Sequence, residues 1–133
     1  MKSFINSMQQ QPLQDVVITG YTDTEEYSRF HPMYERIYFI FDEKIFELYI
    51  NDSGIIDCRT ILKIEVWFDL DENDEFSLMS IYSLLFKTEQ HVTILNIDYD
   101  VTPFSKMKIN YKEGDIKRDI LLDSNNFFGF TLF

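Results

Sequence analysis

Alternation of apolar and polar residues is the feature of this sequence that most limits how the chain can fold. Three segments alternate with a period of two: 62–70, 95–101 and 106–112. This period is typical of a β-strand with one face toward the core and the other toward solvent. We therefore predict three half-buried strands, whose inward residues are Leu62, Ile64, Val66, Phe68 and Leu70, then Leu95, Ile97, Tyr99 and Val101, then Met107, Ile109 and Tyr111.

Turn-forming residues separate the β-rich segments. They are Asp42-Glu43-Lys44, Asn51-Asp52-Ser53-Gly54 and Glu113-Gly114-Asp115. Because residues of these types favour tight turns, the pattern predicts two hairpins, 34–41 with 45–50 and 106–112 with 116–122. The run 37–41 is apolar at every position, which indicates a central strand covered on both faces.

Two short helices are predicted near the start of the chain. Residues 4–10 have apolar side chains at helical spacing, Ser3 is a candidate N-cap, and Pro12 prevents the helix from continuing. Residues 23–30 have acidic side chains in the first turn of a possible second helix. At least the first of these helices is expected to cover the sheet.

Two later segments complete the predicted fold. Residues 77–86 fit both a helical stripe and a strand face, and we interpret them as a strand; residues 125–133 are interpreted as a final strand with a bulge at Gly129. No linker or internal repeat divides the chain. The sequence thus predicts a single domain over 1–133 that is mainly β (or α+β): a twisted antiparallel sheet of about six or more strands with one or two short helices packed on it.

Negative charge is concentrated in the first half of the chain. The formal net charge is -11, and residues 23–75 alone hold 15 acidic and 5 basic residues. Such a surface repels phosphate groups and anionic lipid headgroups. We therefore expect neither a nucleic acid nor a membrane as partner.

Candidate catalytic residues are few and isolated. Cys58 alternates with Ile56 and Thr60 and is interpreted as a small buried hydrophobic residue, whereas His31 and His91 have no ligand or base at a functional spacing. No zinc, nucleophile or glycine-rich phosphate motif occurs. We predict that the protein is not an enzyme and has no cofactor.

One loop resembles part of a calcium site. Asp69, Asp71 and Asn73 match the first three ligand positions of an EF-hand loop, but Asp74 stands where glycine is needed and Ser80 where the bidentate glutamate is needed. We predict no metal site there. A solvated acidic turn and a partner-binding loop are the two remaining interpretations.

The single cysteine cannot form an intramolecular disulfide, and no signal-peptide or membrane-spanning stretch is present. A cytoplasmic location is therefore expected.

Trp67 favours the partner-binding interpretation of the acidic loop. It alternates with Lys63, Glu65 and Asp69, and tryptophan near charged groups is typical of binding hot spots. The alternative is that Trp67 is buried beneath a helix. The predicted partner-binding residues are Trp67, Asp69, Asp71, Glu72, Asp74 and Glu75.

In overall character the chain resembles the immunity proteins of bacterial contact-dependent growth inhibition and related polymorphic-toxin systems. The shared features are a small, acidic, β-rich domain, no catalytic constellation, and an acidic loop near an aromatic residue. This resemblance implies a non-catalytic inhibitor that neutralises a cognate toxin, commonly a basic nuclease. The alternatives are an acidic adaptor or DNA-mimic protein and a small-molecule-binding β domain with an aromatic pocket.

Overall fold

The structure is a computed structural model that describes residues 1–25, 27–125 and 129–132, with Leu132 described by its backbone alone. The chain is mostly β, with two short helices. In chain order the elements are α1 (Lys2–Gln10), β1 (Asp15–Asp23), β2 (Arg29–Ile40), β3 (Ile45–Ile50), β4 (Ile56–Ile61), β5 (Asp74–Ser80), α2 (Tyr82–Phe86), β6 (Thr93–Tyr99), β7 (Lys106–Glu113), β8 (Ile116–Asp123) and β9 (Thr131–Leu132). None of the described helices is long and apolar enough to cross a membrane.

The strands divide between two antiparallel sheets rather than forming one. The large sheet has the order β4-β3-β2-β1-β5, and the small sheet has the order β6-β7-β8-β9. Both predicted hairpins are confirmed, as β2 with β3 and as β7 with β8. The central position of β2 is confirmed as well, because Ile37, Tyr38 and Phe39 are completely buried.

A large bulge bends β2 where it pairs with β1. Val17 lies opposite Tyr38, but Thr19 lies opposite Met33, so the single residue Ile18 spans four residues of β2. The bend brings the Tyr34 carbonyl to the backbone N–H of Phe130, which donates a hydrogen bond to it at 2.9 Å. The end of the chain is thereby attached to the large sheet.

One hydrophobic core lies between the sheets. It includes Ile18, Phe39 and Leu48 from the large sheet and Ile109 and Leu122 from the small one. Helix α1 is confirmed and adds Phe4, whose ring packs against the rings of Phe39 and Phe46 at centroid distances of 4.9 and 5.6 Å. The helix begins at Lys2 with Met1 in the N-cap position, so the prediction of Ser3 as N-cap was wrong.

A buried serine joins the start of β4 to the small sheet. The Ser105 hydroxyl accepts a hydrogen bond from the backbone N–H of Ile56 at 2.7 Å, and the Ser105 carbonyl accepts one from the Ser124 hydroxyl at 2.7 Å. Ser105 itself is completely buried. The two sheets are therefore connected by polar contacts as well as by the core.

The predicted strand 62–70 is not a strand. After β4 the chain runs without regular structure until β5, and Leu62 is 97% exposed. The reason is topological: β4 and β5 lie at opposite edges of the large sheet, so the segment that joins them must cross the sheet and cannot pair within it. The side chains of Val66 and Leu70, predicted to face the core, are also exposed.

The predicted helix 23–30 is also wrong. Asp23 ends β1 and Arg29 begins β2, and the two residues lie opposite each other in a hairpin. A helix of two turns is marginal by itself, whereas pairing extends two strands that are already anchored in the sheet. Long-range pairing thus outweighs the local helical pattern.

The segment 77–86 divides into two elements at Ile81. Residues up to Ser80 belong to β5, as predicted, but the remainder forms α2, so the strand prediction was wrong for 82–86. Ile81 is buried, and its backbone N–H donates to the carbonyl of Val16 at 2.7 Å. This contact anchors the change from strand to helix.

The predictions for the last three strands hold in full for β7 and in part for β6 and the final strand. In β7 the predicted inward residues are all buried, but in β6 a bulge between Ile94 and Asn96 shifts the alternation. Ile94 and Ile97 consequently face the core, whereas Leu95, Tyr99 and Val101, which were predicted to do so, are exposed. Of the predicted final strand 125–133, Thr131 and Leu132 form β9, whereas Gly129, where a bulge was predicted, forms an isolated bridge with Tyr34. Residues 126–128 and 133 lie outside the described part of the chain.

Candidate functional site

Acidic side chains converge where β1 ends and β5 begins. Asp23 lies directly opposite Asp74 in the antiparallel pair, and Thr22 lies opposite Glu75. We call this region the acidic end; its members are Asp23, Glu25, Asp69, Asp71, Glu72, Asp74 and Glu75. The structure therefore brings together all the acidic residues predicted to bind a partner and adds Asp23 and Glu25, which sequence spacing did not connect with them.

Hydrogen bonds hold the two turns of the acidic end together. The backbone N–H and the hydroxyl of Thr24 both donate to the carbonyl of Asn73, at 3.0 and 2.8 Å. Within the second turn, the Asp74 N–H donates to the Asp71 carbonyl, and the Asp71 N–H donates to the Asp74 carboxylate, each at 3.1 Å. The carboxylates are thus displayed from fixed backbone.

The acidic end lacks internal neutralisation. Five ion pairs occur among the described residues, and none of them includes a carboxylate of this region. The base in register with it is Arg29, opposite Asp23. Like charges directly opposite on paired strands are destabilising, and clustered charge of one sign projects a field that attracts the opposite sign.

Trp67 is half-buried on the face of the large sheet that is opposite to the core. Its indole N–H donates to the hydroxyl of the buried Thr19 at 2.8 Å, and the Arg36 guanidinium lies 4.4 Å from the ring centroid. The covering element is the irregular segment that carries Trp67, and not a helix. The hydrogen-bond and ring contacts of Trp67 are thus with Thr19, Arg36 and Phe68 rather than with the acidic end.

Edge-on and tilted contacts between aromatic rings connect Trp67 to the strand residues next to the acidic end. Phe68 contacts Trp67 at 5.1 Å between centroids, and it also contacts Tyr21 and Phe76 at 6.3 and 5.9 Å. Tyr21 and Phe76 lie two residues from Asp23 and Asp74 along β1 and β5. These ring contacts pack the segment 67–68 against β1 and β5 beside the acidic end. Leu70, an apolar residue between Asp69 and Asp71, remains 38% exposed.

A second polar cluster lies on the same outer face of the large sheet. Glu47 on β3 is 5% exposed. Its carboxylate accepts a hydrogen bond from Arg36 Nη1 at 3.4 Å and one from Arg59 Nε at 2.5 Å. Each guanidinium also lies over an aromatic ring, Arg36 over Trp67 at 4.4 Å and Arg59 over Tyr49 at 4.6 Å. Sequence reasoning missed this cluster because the three charged residues come from three strands, and only the register places them side by side.

The cluster keeps Glu47 ionised. Burial alone would raise the pKa of Glu47, but interactions with the Tyr38 hydroxyl and Arg59 and the charge of Arg36 outweigh it, so the net pKa is lowered. Burial, followed by the neighbouring Glu47 charge, raises the pKa of Tyr38 far above its usual value. The Tyr38 hydroxyl is buried and, within the described part of the chain, has no hydrogen-bond partner of acceptable geometry.

The other candidate residues remain apart from both clusters. Burial raises the pKa of the Cys58 thiol to about 12, which suppresses the thiolate needed for nucleophilic attack. His31 stacks on Tyr21 at 4.7 Å, and His91 is exposed. Over residues 1–25, 27–125 and 129–132, no three His, Cys, Asp or Glu side chains are grouped so that they could hold a metal ion.

Comparison with protein-family models, with curated proteins and with solved structures gives no match to this chain.

Proposed function

We propose that the protein is a non-catalytic inhibitor that binds a basic protein through its acidic end. The observation that carries this proposal is the direct opposition of Asp23 and Asp74 among further carboxylates that form no ion pair with any described residue. Folding alone disfavours such a pair, because two like charges face each other across the strands. A basic partner would supply the missing neutralisation.

The immunity proteins of polymorphic-toxin systems are the class we favour. A nuclease toxin presents a basic cleft to its nucleic acid, and an acidic partner is drawn to the same field. Such an inhibitor in the cytoplasm needs no chemistry of its own. Leu70, which lies between Asp69 and Asp71, adds an exposed apolar side chain to the charged residues of the acidic end. An apolar centre with a polar rim is typical of a protein interface.

The test uses a toxin domain encoded next to this chain, produced in a host that it kills or arrests. Co-expression of the wild-type protein is expected to restore growth, and interferometry is expected to show association that slows as salt is added. The triple variant Asp71→Lys, Glu72→Lys, Glu75→Lys should lose protection and associate at least about tenfold more slowly.

A control variant with the same change in net charge separates the acidic end from charge in general. Asp52, Glu89 and Asp115 are exposed acids outside the acidic end, and replacing each of them by Lys should preserve protection. Circular dichroism checks that both triple variants are folded. Equal loss of binding in the two variants, or a partner that is acidic, a nucleic acid or a metabolite, would contradict the proposal.

A further inference from the structure

A hollow of about 330 Å³ lies beside the Arg36–Glu47–Arg59 cluster on the outer face of the large sheet. Lys63, Val66 and Trp67 form part of its wall. The charged residues that line it are three bases and two acids, Glu65 being the second acid, so its formal charge is +1 in a protein of net charge -11. The hollow is thus a local site of positive charge on an acidic molecule.

Arg36 and Arg59 each contact the Glu47 carboxylate through only one of their nitrogen atoms. Arg36 reaches the carboxylate through one terminal nitrogen and Arg59 through Nε. A guanidinium carries five N–H donors, so each arginine retains donors beyond the contact with Glu47. The side chains of Arg36 and Arg59 are 27% and 49% exposed, and both line the hollow.

Both guanidiniums are held in place before any ligand arrives. Arg36 is fixed between Glu47 and the Trp67 ring, and Arg59 between Glu47 and the Tyr49 ring. Fixed donors lose less side-chain entropy on binding than mobile surface arginines do.

We propose that this hollow binds a small organic monoanion whose carboxylate is held by Arg36 and Arg59. Planar guanidinium groups match a carboxylate in geometry. Lys63, whose Nζ lies 3.5 Å from the Glu65 carboxylate, adds a third positive charge at the rim. A monoanion fits the local charge of +1, whereas a phosphate dianion would approach Glu47 with excess negative charge. The apolar part of the ligand would lie against Trp67 and Val66.

The protein offers a direct reporter, because Trp67 is the single tryptophan and lines the hollow. Benzoate is titrated into the full chain at constant ionic strength, and the one indole N–H signal is followed by ¹H–¹⁵N NMR. We expect a saturable shift with benzoate, no shift with the neutral isostere benzamide, and weaker binding of inorganic phosphate. A shift of equal size with benzamide, tighter binding of phosphate, or no shift with benzoate would overturn the proposal.

Two variants test the assigned residues. Arg59→Gln should weaken benzoate binding about tenfold or more, because a hydrogen bond from a charged donor is lost. Lys117→Gln, which removes the same charge from the small sheet, should leave it unchanged. If Arg59→Gln fails to fold by circular dichroism, Lys63→Gln decides: a drop in benzoate affinity of about threefold supports the site, and an unchanged affinity refutes it.

Discussion

At the scale of single residues, Gly129 shows how a backbone contact fixes the identity of an amino acid. Its φ is +112°, and a Cβ at this position would lie 2.4 Å from the carbonyl carbon of Tyr34. The neighbouring atoms are backbone and cannot move aside. Any side chain there would separate the end of the chain from β2.

Gly129→Ala should therefore destabilise the protein by several kcal/mol, about 3 or more, because it combines backbone strain with a steric clash. Gly114→Ala is the matched control: φ is +58° there, but nothing lies within 4 Å of the added Cβ. We expect the control to cost only about 1 kcal/mol. Urea unfolding of both variants measures the difference, and equal costs would contradict the packing argument.

The lowered pKa of Glu47 predicts that the stability of the fold decreases at acidic pH. Its pKa is lowered in the folded protein, so its ionised form stabilises the fold above the usual pKa of a glutamate, and this contribution is lost as the pH falls through the folded pKa. Glu47→Gln should cost about 3 kcal/mol at pH 7, since two guanidiniums lose their buried partner. The difference between variant and wild type should shrink between pH 6 and pH 3.

The exposed residue Glu89 provides the comparison for that experiment. Glu89→Gln should change the free energy of unfolding by less than about 0.5 kcal/mol at either pH. A cost of Glu47→Gln that stays constant from pH 6 to pH 3 would show that its charge is not responsible.

The sequence alone identified the acidic residues but not the Arg36–Glu47–Arg59 cluster, because only the acidic residues are neighbours along the chain. Asp69 to Glu75 are neighbours along the chain, so their proximity needs no knowledge of strand pairing. Arg36, Glu47 and Arg59 become neighbours only through the pairings of β2 with β3 and β3 with β4. A shift of one residue in either pairing would place them on opposite faces.

At the scale of elements, the pairing of β1 with β5 predicts that removing one charge from the acidic end stabilises the fold. Asp74→Asn should raise the free energy of unfolding by about 0.5 kcal/mol, because the repulsion between opposite aspartates is removed. Asp119→Asn, on β8, should instead lower it by up to about 0.5 kcal/mol, because Asp119 forms an ion pair with Lys108 at 3.8 Å.

Thermal unfolding at low and high salt checks both effects. Added salt screens exposed charges, so the two differences should become smaller in 1 M NaCl. Destabilisation by Asp74→Asn would mean that the hydrogen bond its carboxylate accepts from the Asp71 N–H outweighs the repulsion.

Strands joined by a tight turn could be predicted from the sequence. Segments whose structure depends on contacts with residues far away in the sequence could not. The hairpins around 42–44 and 113–115 depend on neighbouring residues, and both formed as expected. The segment 62–70 has the alternation of a strand, but no position in the sheet is available to it between β4 and β5. The segment instead places Trp67 and Phe68 on the sheet and leaves Leu62 in solvent.

At the scale of the whole molecule, the contacts of Ser105 predict that the two sheets unfold together. Ser105→Ala removes the acceptor for the buried Ile56 N–H and should cost about 1–3 kcal/mol. Ser53→Ala, at an exposed position of the neighbouring turn, should cost less than about 0.5 kcal/mol. Because one core spans both sheets, Trp67 fluorescence and far-UV circular dichroism should report the same urea midpoint for each variant.

The order of the sheets along the chain also has a consequence for synthesis on the ribosome. All strands of the large sheet lie within residues 15–80, and those of the small sheet begin at Thr93. At about 5–20 residues per second, synthesis from Ser80 to Leu132 takes roughly 3–10 s, and during this time the large sheet is made while its counterpart is incomplete. Helix α1 precedes the large sheet in the chain, so it is made before that interval and is available to pack on Phe39 and Phe46 as it does in the folded protein. A helix made before the large sheet can thus shield part of the apolar face of that sheet from aggregation until the second sheet is made.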